Sequence, residues 1–501
     1  MQTHALRRLT MVASLAGGLL IGACGDFNVT NPNQPTLDDL VNNPTRTKLS
    51  AAATGLLVGI RVDQTSYIWR LGSMGREGVN LSGNNQPDYQ EPYFGPLQGT
   101  GFGAAIWTNE YREVLNANTY ITAVPKATQI AGAEGLSGAE VAASLGFANT
   151  LKALALFYVV TSHGSLGAPV DVGQPITAPP APFVSEDSVY GYILATLNAA
   201  QADLTAAGGA AFPFPVPAGF TGFSTPATFV AFNRALAAKA YVFRATALNS
   251  TCGPATCYNA ALAALALAGP GFAISDPTQL KKGVYLDYSP GAGDLSNELS
   301  DALDAPNFFA LPLLIDLAQK QTDGTTPDQR AETKIAPQTA GTPQQLGGIG
   351  ILGTHKFTIY LSGGEPNPSA PIPVIRSEEL PLLRAEANIG LNDLGSALTD
   401  INFIRTTAGL LPALGSLGTK DQAIAELLYN RKYSLLWEQG GTWLDARRYG
   451  LLNTIPIPPG FSNSTPPNNN FGASKVPTRL LVPDDECRAR ALESGCSPLG
   501  T

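Results

Sequence analysis

The sequence predicts a mainly α-helical protein, in which paired helices form a scaffold for long irregular loops and a few short strands. Apolar residues recur at i, i+3, i+4 and i+7 both early and late in the chain, which is the period of a helix with one buried face. Between these stretches, residues 269–375 are rich in Gly, Pro, Thr and Asp, which favours irregular loops. With 501 residues, of which only 14% are charged, the chain is long and apolar enough to bury a large core.

The helical pattern is clearest in residues 378–450. Small Ala385 is followed twelve residues later by small Ala397, and Ile401 comes four residues after that. This spacing resembles the tetratricopeptide pattern, in which small residues let two antiparallel helices approach closely. One such pair cannot bury its own apolar face, so it needs further helices in the same chain. We predict these at residues 43–70, 139–160, 185–204, 225–243 and 258–268.

Local signals mark several helix ends and one strand. Thr419 and Gln422 form a capping box, and Asp393 has the position of an N-cap. Residues 355–360 have the composition of a strand within the loop-rich stretch. The tail is rich in Pro and Asn, and residues 479–483 are predicted to be extended and to lie against the body.

The N-terminus has the features of a lipoprotein signal peptide. Arg7 and Arg8 give a positive start, and residues 9–21 form an apolar stretch that is too short for a typical membrane span. The residues Leu-Ile-Gly-Ala ahead of Cys24 resemble a bacterial lipobox, in which cleavage leaves the cysteine to receive acyl chains such as palmitate. Several acyl chains give stable membrane anchoring. The alternative is an ordinary signal peptide beside a chance cysteine.

The four cysteines after Cys24 fit an oxidising compartment. They form two local pairs, and we predict the small-loop disulfides Cys252–Cys257 and Cys487–Cys496. Four cysteines allow three pairings, so the connectivity stays open. A zinc site is the alternative, but no His lies near either pair and neither pair has Cys-x-x-Cys spacing.

The charge of the chain excludes some partners. The formal net charge is −8 at pH 7, and loss of the signal peptide removes the two positive charges of Arg7 and Arg8. An acidic chain without a basic patch argues against nucleic acid and against electrostatic binding to anionic lipid. We expect no metal and no cofactor, and the sequence does not support a structural calcium ion.

The loop at residues 72–103 has the composition of a carbohydrate-binding surface. Sugar rings stack their C–H faces on aromatic rings, while their hydroxyl groups exchange hydrogen bonds with Asn, Gln and Asp. The loop and the helix before it supply both kinds of side chain. The alternative is that these aromatic residues anchor a long loop in the core. The candidate ligand-binding residues are Trp69, Asn84, Asn85, Asp88, Tyr89, Tyr93 and Phe94.

Four segments of the chain match the pattern of one known family. They are the lipobox at Cys24, Asn-Pro-Asn-Gln-Pro-Thr at residues 31–36, Leu-Leu-Arg-Ala-Glu-Ala at 382–387 with the helix up to Arg405, and residues 430–448. Together they resemble the SusD/RagB family of outer-membrane nutrient-uptake lipoproteins, and they bracket almost the whole mature chain.

The resemblance implies a SusD-like fold, in which tetratricopeptide-like helix pairs support long ligand-binding loops. It implies a TonB-dependent (SusC-like) outer-membrane transporter as partner, an oligosaccharide or in some members a peptide as ligand, and a lipid-anchored place at the cell surface. None of the family's binding residues maps securely onto this sequence. The candidate ligand-binding residues therefore rest on loop composition alone.

The last matching segment contains charged residues that could look catalytic. We interpret them instead as a structural network, in which arginines and carboxylates on facing short helices satisfy one another and the helix ends. The residues of this predicted network are Arg431, Glu438, Trp443, Asp445, Arg447 and Arg448.

The sequence gives no sign of catalysis. Beyond the signal peptide only His163 and His355 are histidines, and neither a His-Glu-x-x-His nor a Gly-x-Ser-x-Gly motif is present. We therefore predict a binding protein and not an enzyme. A pair of glycosidase carboxylates cannot be recognised from one sequence, so a secreted glycan hydrolase is one alternative. The other is a helical-repeat scaffold for protein interactions on the outer membrane.

These observations divide the chain into three parts. Residues 1–23 are the signal peptide, 24–42 the lipidated tether and extended N-terminal segment, and 43–501 a single interwoven SusD-like domain. Within that domain we expect a helical scaffold at residues 43–268 and 378–450. We expect a ligand-side loop region at residues 269–377 and an extended tail at residues 451–501.

Overall fold

The computed structural model describes residues 37–81, 86–94, 96–174, 177–301, 307–338, 344–345, 352–456 and 476–492. The helices are α1 (Leu37–Asn42), α2 (Arg46–Gly59), α3 (Gln64–Met74), α4 (Gln86–Phe94), α5 (Ala104–Ala123), α6 (Gly138–His163), α7 (Glu186–Ala206), α8 (Pro226–Ala245), α9 (Pro254–Phe272), α10 (Leu313–Asp316), α11 (Gln329–Lys334), α12 (Glu379–Gly390), α13 (Leu394–Thr407), α14 (Lys420–Ser434), α15 (Gly441–Arg448) and α16 (Asp484–Ala489). The strands are β1 (Gly78–Asn80), β2 (Ala168–Pro169), β3 (Phe183–Val184), β4 (Gly283–Leu286), β5 (Phe308–Ala310), β6 (Ile335–Pro337), β7 (Gln344–Gln345), β8 (Leu352–Gly353), β9 (His355–Phe357), β10 (Leu361–Ser362), β11 (Glu365–Pro366) and β12 (Ile372–Arg376).

The long helices form an array in which neighbours along the chain are neighbours in space. Helices α5 to α9 each pack against the next, α9 packs on α12, and α12 packs on both α13 and α14. We call α5–α9 with α12–α14 the helical array. Since strands are few and short, the predicted mainly α-helical fold class with its helix-pair scaffold is confirmed.

Helix α6 lies at the centre of the array. Its N-terminus is closed by a capping box between Ser137 and Glu140, and almost every residue of its second half is buried. Among the described residues, one helical stretch, Gly132–Leu166, is long and apolar enough to cross a membrane. Since 89% of its most apolar window is buried inside the protein, core packing accounts for this composition.

The helix pair α12–α13 has the close approach that its small residues predict. Ala385, Ala397 and Ile401 are all fully buried in one apolar cluster. The turn between the helices places Asn392 in the left-handed region, with φ 65°, and the Asp393 side chain accepts a hydrogen bond from the Ser396 backbone N–H at 3.0 Å. Asp393 is therefore the N-cap of α13, as predicted.

Other helix ends agree with the sequence signals, while two stretches differ. The predicted capping box of Thr419 and Gln422 is present at the start of α14. The predicted helix at residues 43–70 is instead split between α2 and α3, because a turn at residues 60–63 separates them. The loop at residues 72–103 also contains β1 and α4, which composition alone did not indicate.

A small sheet covers one side of the molecule. Its antiparallel strands follow the order β1-β5-β9-β6, and β1 also packs on α3 and α4. The predicted strand at residues 355–360 appears as β9 and ends at Phe357, where a turn begins. We call β1, α4, β5, β6 and β9 the sheet side.

The C-terminal tail lies against the helices, as predicted. The Leu480 backbone N–H donates to the Ser162 carbonyl oxygen at 3.0 Å, and the Asp484 N–H donates to the Gly99 oxygen at 3.1 Å. The signal peptide, Cys24 and most of the tether lie outside the described residues, and the domain boundaries stay a prediction.

Candidate functional site

The predicted ligand-binding residues that the structure describes lie on two neighbouring helices. Trp69 belongs to α3, while Asp88, Tyr89, Tyr93 and Phe94 belong to α4. Asn84 and Asn85 lie outside the described residues, as does the side chain of Phe94.

Trp69 lies inside an aromatic cluster. Its side chain is only 5% exposed, and its ring centroid lies 5.6 Å from that of Phe102 and 5.8 Å from that of Phe308. The guanidinium group of Arg70 is 4.5 Å from the centre of the indole ring and 5.6 Å from that of Phe102. The faces of Trp69 are therefore occupied by protein groups, and no sugar ring can stack on them in this conformation.

Tyr89 and Tyr93 hold α4 against the sheet. They are 6% and 5% exposed and share an apolar cluster with side chains of β1 and β5. The Tyr93 hydroxyl donates to the Gly78 oxygen at 2.7 Å, and the Arg76 guanidinium lies 4.0 Å from the centre of the Tyr93 ring. Burial raises the pKa of Tyr93 to about 12. This geometry favours the alternative that the sequence left open, in which these aromatic residues are loop anchors.

A polar group remains at the edge of this aromatic cluster. Arg70 Nη2 lies 3.8 Å from Asp88 Oδ1, and the Asn80 side-chain amide donates to Asp88 Oδ2 at 3.2 Å. The side chains of Arg70 and Asp88 are 17% and 13% exposed. Arg70 Nε has no hydrogen-bond partner among the described residues, and burial lowers the pKa of Arg70. We call Arg70, Asp88 and Asn80 the Arg70 patch.

The segment after α4 fixes the position of this patch. One carboxylate oxygen of Glu91 accepts hydrogen bonds from the backbone N–H groups of Gln98 and Phe102, at 3.0 and 3.2 Å. Burial raises the pKa of Glu91, while these two bonds oppose the shift. Phe102 is thereby held beneath the Arg70 guanidinium. The patch thus offers guanidinium donors and carboxylate acceptors on a fixed aromatic support.

Comparison with solved structures identifies the architecture, although no family model and no curated protein matches the sequence. A SusD superfamily protein from Bacteroides vulgatus is 16% identical, with a TM-score of 0.67 over 90% of this chain and 99% of its own. A SusD-like carbohydrate-binding protein from Bacteroides fragilis is 15% identical, with a TM-score of 0.65 over 89% and 98%. A laminarin-binding SusD-like protein is 16% identical, with a TM-score of 0.60 over 89% and 98%. This chain has the SusD-like fold. The expectation drawn from the four sequence segments is confirmed at the level of fold.

In this SusD-like fold, the charged residues of the last matching segment form buried ion pairs. Arg431 Nε lies 2.7 Å from Asp445 Oδ2, and Arg448 Nη1 lies 2.9 Å from Asp445 Oδ1. Glu386 of α12 accepts hydrogen bonds from Arg448 and, at 2.8 Å, from the Tyr449 hydroxyl. These contacts join α12, α14 and α15.

Glu438 is the centre of a second buried group. It lies 2.8 Å from Arg376 Nε of β12 and 2.8 Å from Lys334 Nζ of α11. Burial raises the pKa of Glu438, but the positive charges of Arg376 and Lys334 outweigh it, so the pKa lies below its ordinary value. The carboxylate therefore stays charged and ties the segment between α14 and α15 to the loop-rich region.

Trp443 and Arg447 connect α15 to other parts of the fold. The Trp443 indole N–H donates to the Pro477 oxygen at 2.7 Å, and Arg447 donates to the Thr161 oxygen at 2.7 Å. The side chains of the predicted network are thus engaged in contacts within the protein.

The structure contains the disulfide Cys252–Cys257, with its sulfur atoms 2.05 Å apart, between α8 and α9. Cys487 is buried and disulfide-bonded, and its predicted partner Cys496 lies outside the described residues. Among the described residues, no group of three or more His, Cys, Asp or Glu side chains could hold a metal ion.

His163 is the buried histidine of α6. Its Nδ1 lies 2.9 Å from the Ser162 hydroxyl and 3.1 Å from the Val159 oxygen, and its ring meets Trp107 edge to face at 4.8 Å. Burial lowers the pKa of His163 to about 4. The imidazole is therefore neutral at neutral pH and packed within the core.

Proposed function

We propose that this chain is a cell-surface nutrient-binding lipoprotein. It captures an oligosaccharide and passes it to a TonB-dependent outer-membrane transporter without making or breaking a bond. A peptide is the alternative ligand. The observation that carries this proposal is the SusD-like fold, which extends over about 90% of the chain.

The solved neighbours support a glycan as the ligand class. One is a SusD-like carbohydrate-binding protein and another binds laminarin, a neutral glucan. Because each is only 15–16% identical to this chain, the particular sugar does not follow from the likeness. The local chemistry must therefore select it.

The Arg70 patch is our proposed contact for that ligand. An arginine offers several N–H donors in a fixed plane, and a carboxylate accepts hydrogen bonds in pairs, so both suit neighbouring sugar hydroxyls. The stack on Trp69 and Phe102 holds the guanidinium in place before the ligand arrives. Such preorganisation reduces the entropy lost on binding.

The lipid anchor and the transporter complete the proposal. Acyl chains at Cys24 would hold the protein at the outer membrane, and the tether at residues 24–42 would let it remain above a transporter. Two alternatives make different predictions. A hydrolase would release reducing sugar, whereas an interaction scaffold would bind no glycan and would retain a protein other than a transporter.

Affinity electrophoresis tests the ligand class and the patch together. The purified mature chain is run through gels that contain laminarin or other neutral polysaccharides, beside Arg70→Ala and the control Lys420→Ala, an exposed cation on α14. We expect retardation of the wild type and the control, and about tenfold weaker affinity for Arg70→Ala, the loss of one charge-assisted contact. Equal affinity of all three proteins would exclude the patch.

Purification from native membranes tests the partner. A tagged full-length chain, extracted in mild detergent, should retain a large β-barrel protein in stoichiometric amount. The Cys24→Ala variant should lose incorporation of labelled palmitate and its retention in the membrane fraction. Recovery of the tagged chain without any barrel would contradict the transporter part of the proposal.

A further inference from the structure

A groove of about 670 Å³ is lined by residues that do not belong to the Arg70 patch. One wall is α5, another is formed by Pro169 and by residues 172–174 and 178–181, and the end is closed by α16. Neither Arg70 nor Asp88 lines it. Its volume falls in the range of pockets that enclose most of a small ligand.

The α5 wall presents one face of the helix to the groove. Thr108, Tyr111, Arg112 and Leu115 line it, and their spacing of i, i+3, i+4 and i+7 places them in one row. Leu115 is 44% exposed, although the opposite face of α5 is buried against α2 and α6. A row that contains an exposed leucine and a tyrosine is suited to contact with a ligand.

Buried aromatic packing supports this row from below, where Trp107 is only 3% exposed. Trp107 stacks on Phe183 with ring centroids 5.6 Å apart and an angle of 21°, and Tyr111 lies 4.8 Å from Trp107. The Tyr111 hydroxyl donates to the Pro169 oxygen at 2.7 Å, so its own oxygen stays able to accept. Arg490 closes the far side, with its guanidinium 4.8 Å from the Phe183 ring.

Prolines form much of the remaining wall. Pro169, Pro179, Pro180 and Pro483 line the groove, and Arg490 Nη1 fixes the segment by donating to the Ala181 oxygen at 2.6 Å. Proline rings present apolar faces and carry no backbone N–H. The proline rings therefore offer surfaces for C–H contacts and, at their own positions, no backbone N–H that could pair with an extended peptide.

The rim supplies planar polar groups of both signs. Arg112 and Arg490 contribute two positive charges, and Asp485 and Glu486 contribute two negative charges. Arg490 pairs with Glu486 at 2.7 Å, and Asp485 pairs with Arg488 outside the lining. The charges of the lining thus balance, while donors and acceptors both remain for hydroxyl groups that can donate and accept.

We infer that this groove is a binding site for a neutral oligosaccharide, separate from the Arg70 patch. The groove combines apolar surface from Leu115, the Tyr111 ring and the proline rings with paired planar polar groups at the rim, and a sugar ring needs both. Balanced lining charges in an acidic protein favour a neutral glycan over a polyanionic one. The inference rests on the proposed function, and it adds a second point of attachment to a long chain of sugars.

The test uses the mature chain in gels that contain laminarin, xyloglucan or mannan as neutral probes and alginate as an acidic probe. Arg112→Ala and Leu115→Glu change exposed groove residues, and Leu267→Glu is the matched control, because Leu267 of α9 is also exposed, at 55%. We expect each groove variant to bind a retained neutral polysaccharide about tenfold more weakly, the effect of one lost contact. Leu267→Glu should bind like the wild type.

The outcomes separate this inference from the proposed function. If wild type and groove variants bind a neutral glycan equally, the groove site is wrong and the proposed function stands. If alginate retards the wild type and the neutral polysaccharides do not, the neutral-glycan assignment is wrong. If the wild type binds none of these probes but still co-purifies with a barrel protein, the groove site is wrong and the transporter part of the proposed function stands. Circular dichroism melting of each variant shows whether a loss of binding reflects unfolding, and Arg112→Lys should restore part of the affinity.

Discussion

The helical array and the sheet side bury their apolar residues in different ways. In the array, buried side chains recur with the period of a helix, as in α12 and α13, so local sequence indicates the inner face. On the sheet side, Tyr89 and Tyr93 are buried by strands whose partners lie far along the chain, since Val79 of β1 faces Phe309 of β5. The amino-acid composition of a segment therefore predicts which side chains are buried only where apolar residues also recur with the period of a helix.

The two regions also differ in how polar groups are satisfied. Ion pairs join helices of the array, as Lys239 with Glu379 and Arg405 with Glu426 show. On the sheet side, backbone oxygens take part, as Gly78 with Tyr93 shows. Changes in the array should therefore act on the whole fold, and changes on the sheet side should act locally. Four substitutions test this contrast.

Loss of Asp445 should give the largest effect. Asp445→Ala leaves Arg431 and Arg448 buried without their shared carboxylate, and removal of one partner from a buried pair costs about 3–5 kcal/mol. Because α12, α14 and α15 meet there, we expect one cooperative loss of stability in denaturant unfolding. Asp421→Asn, on the exposed start of α14, is the control. A change below about 1 kcal/mol would show that the pairs contribute little.

Truncation of Tyr93 should give a smaller and more local effect. Tyr93→Ala removes a buried ring and should cost about 3 kcal/mol, whereas Tyr93→Phe keeps the ring, removes the hydroxyl that donates to Gly78, and should cost about 1 kcal/mol. Hydrogen exchange should quicken in β1 and α4 while α6 stays protected. Equally faster hydrogen exchange in α6 and in β1 with α4 would contradict the proposed difference between the helical array and the sheet side.

Glu113 should give the array an unusual pH dependence. It is 1% exposed on α5, close to the backbone of Gly59, and burial raises its pKa from 4.5 to about 9, with a smaller opposing effect from Asn116. Between pH 4.5 and about pH 9, Glu113 is protonated in the folded state and has released its proton in the unfolded state. The contribution of this group to stability therefore falls as pH rises through the window, by about 1.4 kcal/mol per pH unit.

Glu113→Gln keeps the size of the side chain and removes that linkage. Melting temperatures measured from pH 5 to pH 8.5 should fall less steeply for Glu113→Gln than for the wild type. Glu298 is exposed, so Glu298→Gln should leave the dependence of melting temperature on pH unchanged. Parallel curves for the wild type and Glu113→Gln would exclude a protonated Glu113.

The smallest expected effect is at a helix cap. Thr419 accepts a hydrogen bond from the Gln422 N–H at 3.3 Å, and Thr419→Ala should cost about 1 kcal/mol. Thr419→Ser keeps the hydroxyl and should be nearly neutral. A loss of similar size in Thr419→Ser would point to the methyl group instead of the cap. The measurement is the denaturant midpoint at constant slope.

The fold class could be predicted because its signals are local. The Thr419–Gln422 capping box, the Asp393 cap and the small pair Ala385 and Ala397 all reflect contacts within a few turns of helix. The Cys252–Cys257 pair is likewise separated by only five residues. Such features need no knowledge of the rest of the chain.

The candidate site could be predicted only in part, because the exposure of a ring depends on distant residues. Trp69 is covered by Phe308, more than two hundred residues away, and nothing near Trp69 in the sequence indicates this contact. Arg70, which gives the patch its donors, directly follows Trp69 and could have been chosen as a cation beside an aromatic residue. The row Thr108, Tyr111, Arg112 and Leu115 has a readable helical spacing, but its partners on α16 were beyond prediction.

The last helix has a consequence for how the polypeptide matures. Leu480 and Arg490 donate to backbone oxygens of Ser162 and Ala181, which lie some three hundred positions earlier. The Trp443 indole N–H likewise needs the Pro477 oxygen as its hydrogen-bond acceptor. We therefore expect these contacts, which complete the packing around the end of α6, to form only after nearly the whole polypeptide has been synthesised.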